Sequence, residues 1–283
     1  MTNTFSKRAK NLLVGPVLKW VGGKRQILPE LLQRLPAKIN AYYEPFLGGG
    51  ALFFGLHPST AVLNDSNSEL MNVYACIRDN VDEVISILET HKNEEGYFYE
   101  LRQMDRSPLF NNLSPVQRAA RILYLNRTCY NGLFRVNQQG EFNSPFGFYK
   151  NPNIVNAPVL RAVSAFLNKT EPLFLTGDYE DALKGIRKGD FVYFDPPYDP
   201  VSNSAAFTGY TQHKFSPDAQ KRLHKVCEAL DSQKINFMLS NSSTPLIHSL
   251  YGKFSIELVQ ARRNVNSAGD KRGDVDEVIV RNY

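Results

Sequence analysis

The segment Asp195-Pro196-Pro197-Tyr198 places a carboxylate, two stiff imino acids and an aromatic ring directly after the apolar run Phe191-Val192-Tyr193-Phe194. Prolines fix φ and remove backbone donors, so the chain after Asp195 is held open while its carbonyls remain acceptors. A carboxylate next to such carbonyls suits an exocyclic amino group, and Tyr198 offers a face on which a planar nitrogenous base can stack. A simple strand-ending turn is the alternative, because Pro and Asp dominate turns on steric grounds.

Three further stretches have the residue types for a nucleoside ligand. Phe46-Leu47-Gly48-Gly49-Gly50-Ala51 lies between a strand pattern and a helix pattern, where glycines allow a tight turn and close approach of a ligand to the backbone. It lacks G-x-G-x-x-G spacing and the Lys-Ser/Thr of a phosphate loop, which disfavours a dinucleotide or a triphosphate. Asn64-Asp65 ends the next apolar run, so Asp65 is either a ligand for ribose hydroxyls at a strand's carboxyl end or the N-cap of a helix beginning near Ser68. Lys19-Trp20-Val21-Gly22-Gly23-Lys24 combines an indole for packing with a lysine that can meet the carboxylate of a cofactor ending in an amino acid.

The elements that must hold these residues follow from periodicity. Ile27, Leu28, Leu31, Leu32 and Leu35 recur at helical spacing over Lys24 to Leu35, with Pro29 tolerated near the first turn. A strand at Tyr42 to Phe46, the glycine turn, a helix from Ala51 and a strand at Ala61 to Leu63 then make a βαβ pattern. From residue 73 to 166 the texture becomes helical and then polar, which reads as an inserted domain. Within it, Ser114-Pro115-Val116-Gln117 predicts a capped helix start, and Arg118, Arg121 and Arg127 predict a basic face. Strand-like runs return at Leu173 to Leu175, Phe191 to Phe194, Asn236 to Leu239, Ser255 to Val259 and Glu277 to Val280. The last two suggest a terminal antiparallel pair flanking a mobile, basic loop over Arg262 to Asp274.

The fold class expected is therefore α/β, with residues 1–72 and 167–283 as one domain and 73–166 inserted. At 283 residues and 42% hydrophobic content the chain can bury a proper core. Its net charge of +5 leans toward an anionic partner. Cys76, Cys129 and Cys227 lie far apart, which suggests neither a zinc site nor a disulfide framework and points to a reducing cytoplasm. The basic start with Lys7, Arg8 and Lys10 has no evident cleavage site, and no segment reaches the roughly 18 apolar residues of a membrane span.

Taken in order, these motifs resemble the Dam-type DNA adenine N6-methyltransferases, in the group whose cofactor motif precedes the recognition domain and whose catalytic motif follows it. The likeness rests on Lys19 to Lys24, Tyr43 to Ala51, Asn64-Asp65, Asn131-Gly132-Leu133-Phe134-Arg135, Glu141-Phe142-Asn143 to Tyr149, and Asp195 to Tyr198. It is most like the GATC modification enzymes of the DpnII type. The resemblance implies a Rossmann-like S-adenosylmethionine-dependent methyltransferase fold, a mostly parallel sheet with a C-terminal antiparallel hairpin and a mainly helical inserted DNA-recognition domain. It implies S-adenosylmethionine as methyl donor, no metal and double-stranded DNA as partner; no obligatory protein partner is evident in the sequence, which is compatible with a monomer and leaves the oligomeric state open.

By the same resemblance Trp20, Lys24, Phe46, Gly48, Asp65, Asp178 and Asp195 hold the cofactor, and Asp195, Pro196, Pro197 and Tyr198 form the catalytic pocket. The target base is flipped from the duplex at a cost of a few kcal/mol. Lys19, Tyr130, Asn131, Leu133, Arg135, Pro145 and Tyr149 are the implied DNA contacts. Arg135 is assigned to the first guanine, Leu133 and Pro145 to the thymine methyl, and Tyr130 to the space left by the flipped adenine. Cytosine C5 chemistry is disfavoured because none of the three cysteines follows a proline. Another DNA sequence, cytosine N4, RNA, or a DNA-binding module without catalysis remain the alternatives, although Asp195 in place of Ser favours adenine.

Overall fold

The computed structural model describes residues 11–137, 139–201, 215–262 and 274–283. The basic residues at 7, 8 and 10 and the loop over 263–273 lie outside that set. Seven strands form one sheet in the order β3-β2-β1-β4-β5-β7-β6. They are β1 Tyr42–Glu44, β2 Ala61–Asp65, β3 Leu173–Thr176, β4 Phe191–Phe194, β5 Asn236–Ser242, β6 Ser255–Arg262 and β7 Asp274–Arg281. The first five in that order run parallel, and β7 enters antiparallel between β5 and β6. The terminal antiparallel pair is thus as expected, with β7 also closing onto β5.

β4 is buried at all four positions, as a central parallel strand covered on both faces must be. Its side chains divide between two cores: Phe191 and Tyr193 face one, Val192 and Phe194 the other, following the period-2 alternation of a strand. The first core is closed by α1 Leu28–Gln33, α2 Ala51–Leu56 and the helices after β2. The second is closed by α8 Pro217–Ser232 and α9 Pro245–Tyr251. From β1 the chain moves outward to β2 and β3, while from β4 it moves outward in the opposite direction to β5. The carboxyl ends of β1 and β4 therefore flank a topological switch point, where open α/β sheets bind ligands.

Between β2 and β3 lie α3 Ser68–Asp79, α4 Val81–Thr90, α5 Glu95–Gln103, α6 Pro115–Thr128 and α7 Ala157–Thr170. Residues 73 and 166 fall within α3 and α7, helices that continue across those positions and pack on each other. The start of α6 is the expected capping box. Ser114 Oγ accepts from Gln117 N at 3.2 Å, and Gln117 Oε1 accepts from Ser114 N at 2.9 Å. α1 is shorter than its periodicity suggested, beginning at Leu28, because Pro29 belongs in a first turn and Lys24 to Ile27 form turns ahead of it. The basic face on α6 is not solvated. Arg121 is buried against Asp105 and the carbonyls of Leu101 and Arg102, Arg127 donates to Val17 O, and Arg118 pairs with Glu69. No described helix is long and apolar enough to cross a membrane.

Candidate active site

At the carboxyl end of β4, Asp195 faces Lys24, with Nζ 2.9 Å from Oδ1. The same ammonium donates to Gly22 O and lies 4.6 Å from the centre of the Tyr198 ring. Lys24 is only 6% exposed, so the ion pair is largely shielded from water. Burial raises the Asp195 carboxyl to about 6; Lys24 pulls it down and the Glu277 charge adds to the rise. The site thus holds a carboxylate whose protonation changes near neutrality, beside a ring already covered on one face by a cation.

The rest of the Asp-Pro-Pro-Tyr segment is anchored from β5, β7 and α8. Tyr198 OH donates to Glu277 Oε2 at 2.8 Å, and Gln220 Nε2 donates to Pro197 O at 3.1 Å. Asn241 Oδ1 accepts from Asp199 N, and Thr244 donates to the Asp199 carboxylate. Asn241 in turn donates to Gln220 Oε1, which locks the glutamine amide inside the protein. The Pro197 carbonyl is thereby engaged within the protein, and both prolines are restricted in φ.

The glycine turn is tied to Asp65 directly. Gly48 N donates to Asp65 Oδ2 and Asn67 N to Asp65 Oδ1, both at 2.9 Å. The N-cap of α3 is Asn67, whose side chain accepts from Leu70 N, so Asp65 is freed from the capping role it might otherwise fill. Burial raises the Asp65 carboxyl, and its backbone donors oppose that rise. Behind the turn, Asn64 Nδ2 donates to Pro45 O and Gly177 O, and Tyr74 OH donates to Gly48 O. Gly48 has φ +48, and a Cβ there would stand 2.8 Å from Trp20 Cδ1, so the indole lies against the turn. Only glycine meets both conditions without strain.

Trp20 also stacks on Phe134 at 4.7 Å between ring centres, and Lys19 is clamped beside it. Lys19 N donates to Asn126 Oδ1, and Asn126 Nδ2 donates back to Lys19 O and to Gly132 O. One α6 side chain thereby fixes the loop carrying Trp20 and Lys24 to the loop carrying Asn131 to Arg135. In that second loop Tyr130 N donates to Pro145 O, and Arg135 is oriented by Asn143, with Nε on Oδ1 at 2.7 Å and Nη2 on the carbonyl at 3.2 Å. Tyr130, Asn131, Pro145 and Tyr149 are exposed, whereas Leu133 is half-buried.

Two anticipated residues stand differently from the rest. Phe46 stacks on Tyr179 at 5.1 Å and meets Phe194 and Phe215 edge-on, so its ring is part of the wall between β1 and β4. Asp178 spends both carboxylate oxygens on Arg222, at 2.8 and 2.9 Å, and this pairing lowers its acidity range below the usual one. Its side chain is thus paired with α8.

Sequence reasoning missed Glu277, Gln220, Asn241, Asn126 and Glu44. Gln220 occupies an apolar position of α8, in line with Leu223, Cys227 and Leu230, and a polar residue on such a face is the signal that would have found it. Glu44, buried at the end of β1, accepts from Tyr42 OH at 2.8 Å, and burial raises its carboxyl well above the usual range. No group of three or more His, Cys, Asp or Glu able to hold a metal occurs among the described residues.

Comparison with known families turns this geometry into an assignment, because residues 20–265 match the D12 class N6 adenine-specific DNA methyltransferases. The chain belongs to that family. It is 46% identical to the Type II methyltransferase M1.LlaDCHI of Lactococcus lactis subsp. cremoris, with 99% of each chain covered. The Type II methyltransferase M.MjaIII of Methanocaldococcus jannaschii is 39% identical over 95% of this chain and 99% of its own. The DNA adenine methylase of Escherichia coli strain K12 is 34% identical over 93% of both. For a D12 class methyltransferase the donor is S-adenosylmethionine and the substrate is DNA. The residues present suit that donor. A carboxylate at the end of β2 matches a ribose diol, the Phe46 wall matches an adenine face, and Lys24 and Asp195 supply opposite charges for an amino-acid end.

Proposed function

We propose that this methyltransferase modifies N6 of adenine in double-stranded GATC, with the target base flipped out of the helix and stacked on Tyr198. The observation that carries this reading is the joining of three sites through one loop: Lys24 on Asp195, Trp20 on Gly48, and Trp20 on Phe134 of the recognition stretch. In this reading the donor supplies an electrophilic methyl group. The adenine amino group is a weak nucleophile, because its lone pair is delocalised into the ring. Asp195 and the Pro196 carbonyl accept its two hydrogens, which returns electron density to nitrogen, and Tyr198, held by Glu277, fixes the plane of the base. A donor carboxylate competes with Asp195 for the Lys24 ammonium, which covers one face of the Tyr198 ring.

Sequence readout is assigned to the 130–149 stretch, which we take as the working part of the inserted 73–166 segment. Arg135 spends its Nε–Nη2 edge on Asn143, and three of its five N–H donors remain, enough for a bidentate pair with guanine O6 and N7. The Type II names of two relatives favour a modification enzyme paired with a restriction nuclease. The test is methylation of plasmid DNA in vitro, followed by digestion with nucleases of opposite sensitivity to adenine methylation in GATC. Protection from one and cleavage by the other is expected. Methyl incorporation without either change would overturn the GATC assignment, and no incorporation with bound donor would overturn the reaction.

A further inference from the structure

Phe148 is 70% exposed and adopts φ +52. A bulky side chain in the left-handed region is strained, and exposing an aromatic ring forgoes the gain of burying it. Both features fall on one residue, and the backbone around it is held firmly. Gly147 N donates to Thr128 O at 2.8 Å, and Asn93 Nδ2 donates to Tyr149 O at the same distance. A Cβ on Gly147 would meet the Thr128 and Cys129 carbonyls at 2.9 Å, so the chain is pressed against the end of α6 just before Phe148 turns outward. The ring rests edge-on against buried Phe146, 5.0 Å between centres, and its remaining surface faces solvent. Strain that persists because its surroundings over-determine it clusters at ligand clamps.

The neighbours indicate the ligand. Tyr130 and Tyr149, 57% and 38% exposed, and the exposed Lys92 and Lys150 lie on or beside the same clamped backbone. Aromatic faces interleaved with lysines are the composition of a nucleic-acid surface. Resting on the DNA reading above, we propose that Phe148 contacts the DNA substrate through its ring, against a base or sugar next to the recognition site. It supplies affinity that does not depend on salt. Phosphate contacts release counterions and weaken as salt rises, whereas an apolar ring contact leaves that slope unchanged.

The experiment measures binding of a GATC duplex by fluorescence anisotropy over a series of salt concentrations, for the wild type, Phe148→Ala, Phe148→Asn and Phe148→Tyr. Asparagine tolerates the left-handed conformation, so that variant removes the ring without adding strain. Both ring-removing variants should bind about tenfold more weakly at every salt concentration, with the wild-type slope. The tyrosine variant should bind as the wild type, donor affinity should be unchanged throughout, and Tm should not fall in any variant. Wild-type binding with unaltered Kd in Phe148→Ala and Phe148→Asn would overturn the assignment of Phe148 alone. A loss of affinity that tracks a fall in Tm would make the ring a packing element and overturn it too. A wild-type chain that binds no duplex would overturn the DNA reading and this assignment with it.

Discussion

Replacing Lys24 by Met removes the cation facing Asp195 while keeping an unbranched side chain of similar length. The Asp195 carboxyl stands at about 6, raised by burial and by the Glu277 charge and held down by Lys24. An opposite charge in contact moves a carboxyl by about 1 to 3 pH units, so its removal should raise the titration by that amount. At pH 7 a group titrating at 6 is roughly nine-tenths ionised, and one raised by about two units is roughly one-tenth ionised. If the ionised form accepts the amino hydrogen, turnover at pH 7 falls about tenfold from this cause alone and returns near pH 9. Initial rates at limiting duplex and limiting donor report the free enzyme, the state with Lys24 on Asp195. Loss of a contact between Lys24 and the donor lowers the whole profile by a constant factor and leaves its acid limb in place. An acid limb at the wild-type position in Lys24→Met, whatever the size of the drop, would refute the coupling between these two residues.

Gly48→Ala should lower both Tm and donor affinity, since φ +48 strains an alanine by roughly 1 to 2 kcal/mol and its Cβ displaces Trp20; unchanged calorimetric titration and melting would contradict this. Arg135→Ala should relax preference at the first guanine by roughly 1 to 3 kcal/mol of discrimination, more than it slows modification of the preferred site. Equal losses on GATC and on first-base variants would remove Arg135 from readout. Glu44→Gln tests a buried acid. Its folded-state pKa lies well above the unfolded one, so the native protein holds a proton the unfolded chain releases, and stability is lost as pH rises through that window. The Gln variant should therefore show a smaller change in Tm between about pH 5 and pH 8 than the wild type; an equal change would mean that Glu44 is not the titrating group.

What could be read from the sequence was what repeats or stands alone along the chain. β4 announced itself because a buried parallel strand is a short apolar run, and Ser114-Pro115-Val116-Gln117 announced α6 because a capping box is a local device. The position of β7 between β5 and β6 is different in kind, since strand order is fixed by packing between segments that share no local signal. Arg121 shows the same limit. On a helical wheel it belongs to a basic face, yet Asp105 and two α5 carbonyls make it an interior residue, and those partners come from another helix and the turn that follows it. Residues 73 and 166 mark a change in sequence texture, while the helices spanning them are continuous because an amphipathic face, once begun, is buried as a whole.

At the site, each side chain was legible as a chemical type, but its partner was not. The sequence suits Lys24 to an external carboxylate, and the structure pairs it with an internal one just past β4. The two partners are the same chemical species, so a lysine suited to one is suited to the other, and the sequence cannot separate them. That equivalence has a physical consequence. In the proposed reading, a donor carboxylate that drew Lys24 toward itself would release Asp195 and take the cation from the Tyr198 ring. The indole next to it reaches from the glycine turn to Phe134, and Asn126 binds both loops by their backbones. Packed rings and three hydrogen bonds therefore join the Lys19 to Lys24 loop to the loop carrying Asn131 to Arg135. The short Lys19 to Lys24 segment, a lone Trp between two lysines, thus meets Asp195, the glycine turn and Phe134 at once.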